Sequence, residues 1–82
     1  MVYRTKGTCS QAINVEAENG IVTQVQFVGG CAGNTAGIAK LVVGMKVDDV
    51  ISRLEGTTCG PRPTSCPDQL AKALKQLKAE QQ

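Results

Sequence analysis

The sequence predicts an α+β domain, an N-terminal antiparallel sheet of two or three strands packed on three C-terminal helices. Three observations carry that expectation. Two runs of alternating residues flank Asn19-Gly20, and alternation is the period of a half-buried strand. Two later stretches repeat apolar residues at helical spacing instead. The strands come first and the helices after, without the βαβ alternation of a parallel sheet. The 82 residues make one domain, spanning 1–82,.

From Gln11 to Ala17, Ile13, Val15 and Ala17 share one face. Asn19-Gly20 then gives the strongest short hairpin signal, because both residues tolerate positive φ. The return strand runs from Ile21 to Val28, with Ile21, Thr23, Val25 and Phe27 expected on one face. Val2 to Lys6 adds a short edge strand that Gly7 breaks off. After Gly29-Gly30-Cys31-Ala32-Gly33, a helix is expected to start at Asn34 or Thr35, whose short polar side chain would cap it, and to run to about Val43,. Ala36, Ile38, Ala39, Leu41, Val42 and Val43 surround this helix with apolar side chains, so burial on most sides is expected. Gly44 stops it. The second helix runs from Val47 to Leu54, where Val47, Val50, Ile51 and Leu54 form a single stripe. Asp48 and Asp49 complement its dipole, and Gly56 ends it. A stiff loop from Thr57 to Pro63 leads to a third helix that starts at Ser65 or Cys66. Pro67 suits its first turn. Leu70, Leu74 and Leu77 give its apolar stripe, with Lys72, Lys75 and Lys78 on the solvated side.

Composition excludes several function classes. The chain is 41% hydrophobic with a net charge of +2, so neither disorder nor a basic nucleic-acid patch is expected. No apolar run approaches the length of a membrane span. Met1 to Lys6 lacks the apolar core of a signal peptide, so the expected compartment is the cytoplasm. The sequence holds no His, which removes Ser–His–Asp and Cys–His catalysis and every His-ligated metal site. Tyr3 and Phe27 are the only aromatics. A small core without them needs a second source of stability.

Cys9, Cys31, Cys59 and Cys66 are candidates for that source. Each stands at an element boundary, where ligands and catalytic groups collect. Cys31 and Cys66 stand at helix starts, which favour the thiolate, the form that attacks and binds metal. In a reducing compartment, four such residues point to zinc or an iron–sulfur cluster rather than disulfides. No C-x-x-C is present, and the closest pair, Cys59 and Cys66, has six residues between. Free buried cysteines or a labile thiol pair fit the same spacing. The turn before the first helix has another reading. Gly29, Gly30, Gly33 and Asn34 could cradle an anion with backbone N–H groups, with Arg62 adding charge.

Thr64-Ser65-Cys66-Pro67-Asp68 matches in all five residues the motif that names the TSCPD domain. The whole chain resembles the small four-cysteine members of that family, including the Gly29-Gly30-Cys31 turn and the Cys59-Gly60 loop. A related domain occurs at the C-terminus of some adenosylcobalamin-dependent ribonucleotide reductases. The resemblance therefore implies a link to deoxynucleotide and DNA synthesis, with a ribonucleotide reductase or another protein as partner. It does not imply reductase activity, which needs a large barrel and a radical cofactor. The order of elements is also similar to U-type iron–sulfur scaffold proteins (the IscU/NifU N-terminal fold), with Cys9, Cys31 and Cys66 at their cysteine positions. Val43 to Val50 resembles their helix–Gly–Lys–helix junction. Where those scaffolds carry an Asp that helps release the cluster, this chain has Gln11. Where they have a His beside the last cysteine, it has Ser65, and Cys59 is additional.

Three functions follow in order of expectation. The first is a closed four-thiolate site for zinc or an iron–sulfur cluster, serving a structural or accessory role without catalysis of its own. The second is a thiol–disulfide relay through Cys59 and Cys66 that re-reduces a ribonucleotide reductase. The third is a metal-free module that binds an anionic or nucleotide ligand. No membrane or nucleic-acid partner is expected, and the sequence does not give the oligomeric state.

Overall fold

The computed structural model describes residues 1–7, 10–29, 32–58, 60–61 and 63–81, and the side chains of all these but 10, 32–34 and 81. The order is β1 (Val2–Arg4), β2 (Ser10–Glu18), β3 (Ile21–Gly29), α1 (Ala32–Val42), α2 (Val47–Leu54) and α3 (Cys66–Gln81). The strands form one antiparallel sheet in the order β1-β2-β3, so the α+β expectation holds. The β2–β3 turn has φ 54° at Asn19 and 77° at Gly20, the paired positive values of a type I′ hairpin.

One face of the sheet meets the helices. Ile13 and Val15 on β2 are fully buried, together with Val22, Val50, Leu70 and Leu74. α3 packs on β2, α2 packs on α3, and α1 packs on β3. The stripe of α3 falls as its spacing predicts, with Leu70, Leu74 and Leu77 inside and Lys72, Lys75 and Lys78 outside. α2 has the expected bounds and buries Val47 and Val50.

Two expectations need correction. The first concerns the inward face of β3. Glu16 pairs with Gln24 but Ala17 pairs with Val22, so Thr23 is an extra residue in a β-bulge. A bulge shifts the alternation by one residue. Val22 is therefore buried opposite Ala17 while Thr23 is exposed. Beyond the bulge, Val25 and Phe27 face inward opposite Val15 and Ile13.

The second concerns α1. It is not buried on most sides. Thr35 and Val42 are buried, but Leu41 is 76% exposed and Val43 is 45% exposed. α1 packs on β3, and Ala36, Gly37, Lys40 and Leu41 along it are exposed. The helix also begins at Ala32, so Asn34 and Thr35 lie inside its first turn and are not caps. Thr35 is instead buried in the protein.

Candidate functional site

The polar centre of the molecule is the start of α3. Thr64, Ser65, Asp68 and Gln69 are all buried, where each polar atom must find a partner. Ser65 is the N-cap of α3. Its hydroxyl accepts from the Asp68 N–H at 3.2 Å and donates to the Thr57 carbonyl at 2.6 Å. Its carbonyl accepts from the Gln69 N–H at 2.8 Å. In a capping box the acidic residue at the third helical position reaches back to the cap. Here Asp68 reaches elsewhere. One carboxylate oxygen accepts from the Gly56 N–H at 2.7 Å. The other accepts from the Thr64 hydroxyl and meets the Lys72 ammonium at 3.3 Å. The Thr64 hydroxyl in turn accepts from the Gln69 amide at 2.9 Å, and the Gln69 carbonyl oxygen accepts from the Lys6 N–H at 3.1 Å.

This clasp ties three stretches of chain together. The Asp68 carboxylate holds the stop of α2 at Gly56, where φ is 84°. Ser65 holds the loop after it at Thr57. Gln69 holds the segment between β1 and β2 at Lys6. Gly7 packs just beyond, with φ 76°, and a Cβ built there would stand 3.0 Å from the Thr64 methyl. The Thr64 hydrogen bond holds the Asp68 carboxyl below the usual carboxylate range, and the Gly56 N–H and Lys72 act the same way. Burial opposes them,. Among the described residues no buried side-chain polar atom lacks a partner.

The TSCPD domain family matches over residues 1–78. The chain belongs to this family. No curated protein and no solved structure matches it. In this TSCPD domain the naming motif is largely the clasp itself. Thr64, Ser65 and Asp68 act through their side chains, and Pro67 occupies the first turn of α3, where its missing N–H costs no helical bond. Cys66 is half-buried at the start of α3.

Of the other predicted site residues, Cys9, Cys31 and Cys59 lie outside the described residues, as do Gly30 and Arg62. Gly29 ends β3 with φ 78°, and Gly33 and Asn34 lie inside α1 rather than before it. Among the described residues no three His, Cys, Asp or Glu side chains form a metal-binding group. No helix among them is long and apolar enough to cross a membrane. Sequence reading missed the roles of Thr64 and Gln69 as buried polar residues. The available signal was the S-x-x-D spacing of Ser65 and Asp68, a capping-box pattern.

Proposed function

We propose that this chain is an accessory module of ribonucleotide reduction whose four cysteines hold one soft metal centre, zinc or an iron–sulfur cluster. Cys9, Cys31, Cys59 and Cys66 are the proposed ligands. The observation that carries the reading is the clasp. Three side chains beside Cys66 in the sequence fasten backbone that leads toward two other cysteines. Lys6, held by Gln69, stands three residues before Cys9, and Thr57, held by Ser65, stands two before Cys59. Ser10, just after Cys9, pairs with Gly29, two residues before Cys31. So the described stems next to all four cysteines belong to two connected neighbourhoods.

The donor chemistry supports a soft metal. Asp68 is the carboxylate nearest Cys66 in the sequence, and its oxygens are already committed to Gly56, Thr64 and Lys72. The chain has no His, and four thiolates suit zinc or an iron–sulfur cluster. Such a centre would cross-link the loops and supply the stability that a core poor in aromatics lacks. It leaves no open position for water, which fits an accessory rather than a hydrolytic role. The link to ribonucleotide reduction rests on the occurrence of related domains at the C-terminus of adenosylcobalamin-dependent reductases.

Elemental analysis and a visible spectrum on protein purified without oxygen test this reading. The expected result is about one zinc per chain without colour, or iron with brown absorbance. Chelation should then lower the thermal midpoint by more than about 10 °C, since metal binding is folding energy in so small a domain. Cys66→Ser should abolish stoichiometric binding. Protein free of both metals, or an unchanged midpoint after stripping, would overturn the proposal.

A further inference from the structure

The sheet has two edges, and they are built differently. β1 is three residues long and carries Arg4, and short or charged edges discourage pairing with another chain. β3 is nine residues long, Ile21–Gly29, and contains no charged residue and no proline. Its first turn of edge is covered. Val22 donates to the Met45 carbonyl at 2.9 Å and accepts from the Gly44 N–H at 2.8 Å. Beyond Thr23, no described segment pairs with that edge.

Hydrogen-bond direction tells which residues the open edge presents. Val15 exchanges both backbone bonds with Met1, at 2.9 Å and 2.8 Å. Groups turned toward Met1 cannot also reach β3, so Val15 and its opposite residue Val25 form a non-hydrogen-bonded pair,. The N–H and C=O of Val25 therefore point outward, and those of Phe27, two residues on, do the same. Beside them runs a groove of about 470 Å³ between β3 and α1, lined by Val25, Phe27, Thr35, Ala36, Ala39 and Lys40. A strand added at this edge would bond to Val25 and Phe27 and turn alternate side chains into an apolar groove.

We propose that the open edge of β3 pairs with the same edge of a second copy, giving one continuous six-stranded antiparallel sheet. A strand that is apolar on its inward positions and carries no charge of its own matches the uncharged β3 edge,. β3 has both properties, with Val25 and Phe27 inward and Gln24, Gln26 and Val28 on the outer face. A two-fold axis at Gln26 sets Val25 opposite Phe27 of the second copy, and Phe27 opposite its Val25. Both are hydrogen-bonded pairs, and both are apolar cross-strand contacts. Gln26 then faces its own copy, where two amides can bond to each other. The isologous seam places no like charges together along the strand. This inference is independent of the metal reading.

Sedimentation equilibrium on the full chain, up to about 1 mM to cover weak interfaces, gives the test. The wild type should self-associate as a dimer. Gln26 is exposed on the outer face, so charge there leaves the core intact. Gln26→Lys and Gln26→Glu should each weaken the dimer about tenfold or more by self-repulsion, and their mixture should recover a heterodimer. Circular dichroism confirms that both variants stay folded. A wild type that remains monomeric would overturn the proposal, as would Gln26 variants that dimerise like wild type. A dimer lost in Gln26→Lys yet not regained by mixing would place the axis elsewhere and overturn this register.

Discussion

The two ends of the sheet are fastened by different means. At the hairpin end the bonds are backbone to backbone. Val47 donates to the Gly20 carbonyl at 2.8 Å, Val22 to Met45 at 2.9 Å, and Gly44 to Val22 at 2.8 Å. Any residue but proline can supply such donors, so this end leaves little trace in side-chain identity. At the other end Thr64, Ser65, Asp68 and Gln69 hold Lys6, Gly56 and Thr57. There the side chains are the fastening, and each is a specific chemical type. The difference explains why the naming motif of the family stands at one end of the sheet while the other end is anonymous.

Asp68→Ala should show the largest contrast. It leaves the buried Thr64 hydroxyl without its acceptor and breaks the part-buried bond from the Gly56 N–H, at a cost of about 3 kcal/mol,. The thermal midpoint by circular dichroism should fall by about 15 °C; a loss of only a few degrees would mean that the clasp is ornamental. Next come two glycines with nearly equal φ, 76° at Gly7 and 77° at Gly20. An added Cβ at Gly20 meets open space, whereas at Gly7 it meets the Thr64 methyl. Gly20→Ala should cost about 1 kcal/mol from backbone strain alone. Gly7→Ala should cost about 2 kcal/mol, since the Thr64 methyl must also move. Equal losses in chemical denaturation would erase the distinction between the ends.

Acid titrates the same contrast. The carboxyl of Asp68 is depressed in the folded protein, so its stabilisation is complete above the unfolded value of about 3.9. It is lost as pH falls through the lower folded value. Wild type should therefore be more stable than Asp68→Asn at neutral pH, with the gap closing progressively below about pH 4. A gap constant with pH would deny the carboxylate its charged role. The smallest effect belongs to the hairpin end. Lys46 stands at the N-cap of α2 with φ −66° and ψ 136° and makes no side-chain cap bond. Lys46→Ser should gain about 0.5 kcal/mol, and a loss of stability there would show that its side chain does more than its backbone.

The hairpin, α2 and the stripe of α3 were legible because their signals are local. Asn19-Gly20 dictates its own turn, and Leu70, Leu74 and Leu77 share a face wherever the helix packs. The buried face of β3 was not legible, since the bulge at Thr23 depends on how β2 and β3 share their hydrogen bonds. The exposure of α1 was not legible either. Its composition fits burial from every side, and only the placement of neighbouring elements leaves Leu41 uncovered. The four cysteines could be read as a set from their types, but spacing alone does not bring them together.

By itself the sequence determined the α+β class, the order of the elements and the membership carried by residues 64–68. Those properties rest on side-chain type and on periods of two and of 3.6 residues, which act between near neighbours. Tertiary structure decided what the motif does. Lys6 and Gln69 bond across 63 positions of chain, and Gly7 meets Thr64 from a similar distance in sequence. Such contacts exist only when sheet and helices have packed, because a buried hydrogen bond draws its strength from the exclusion of water.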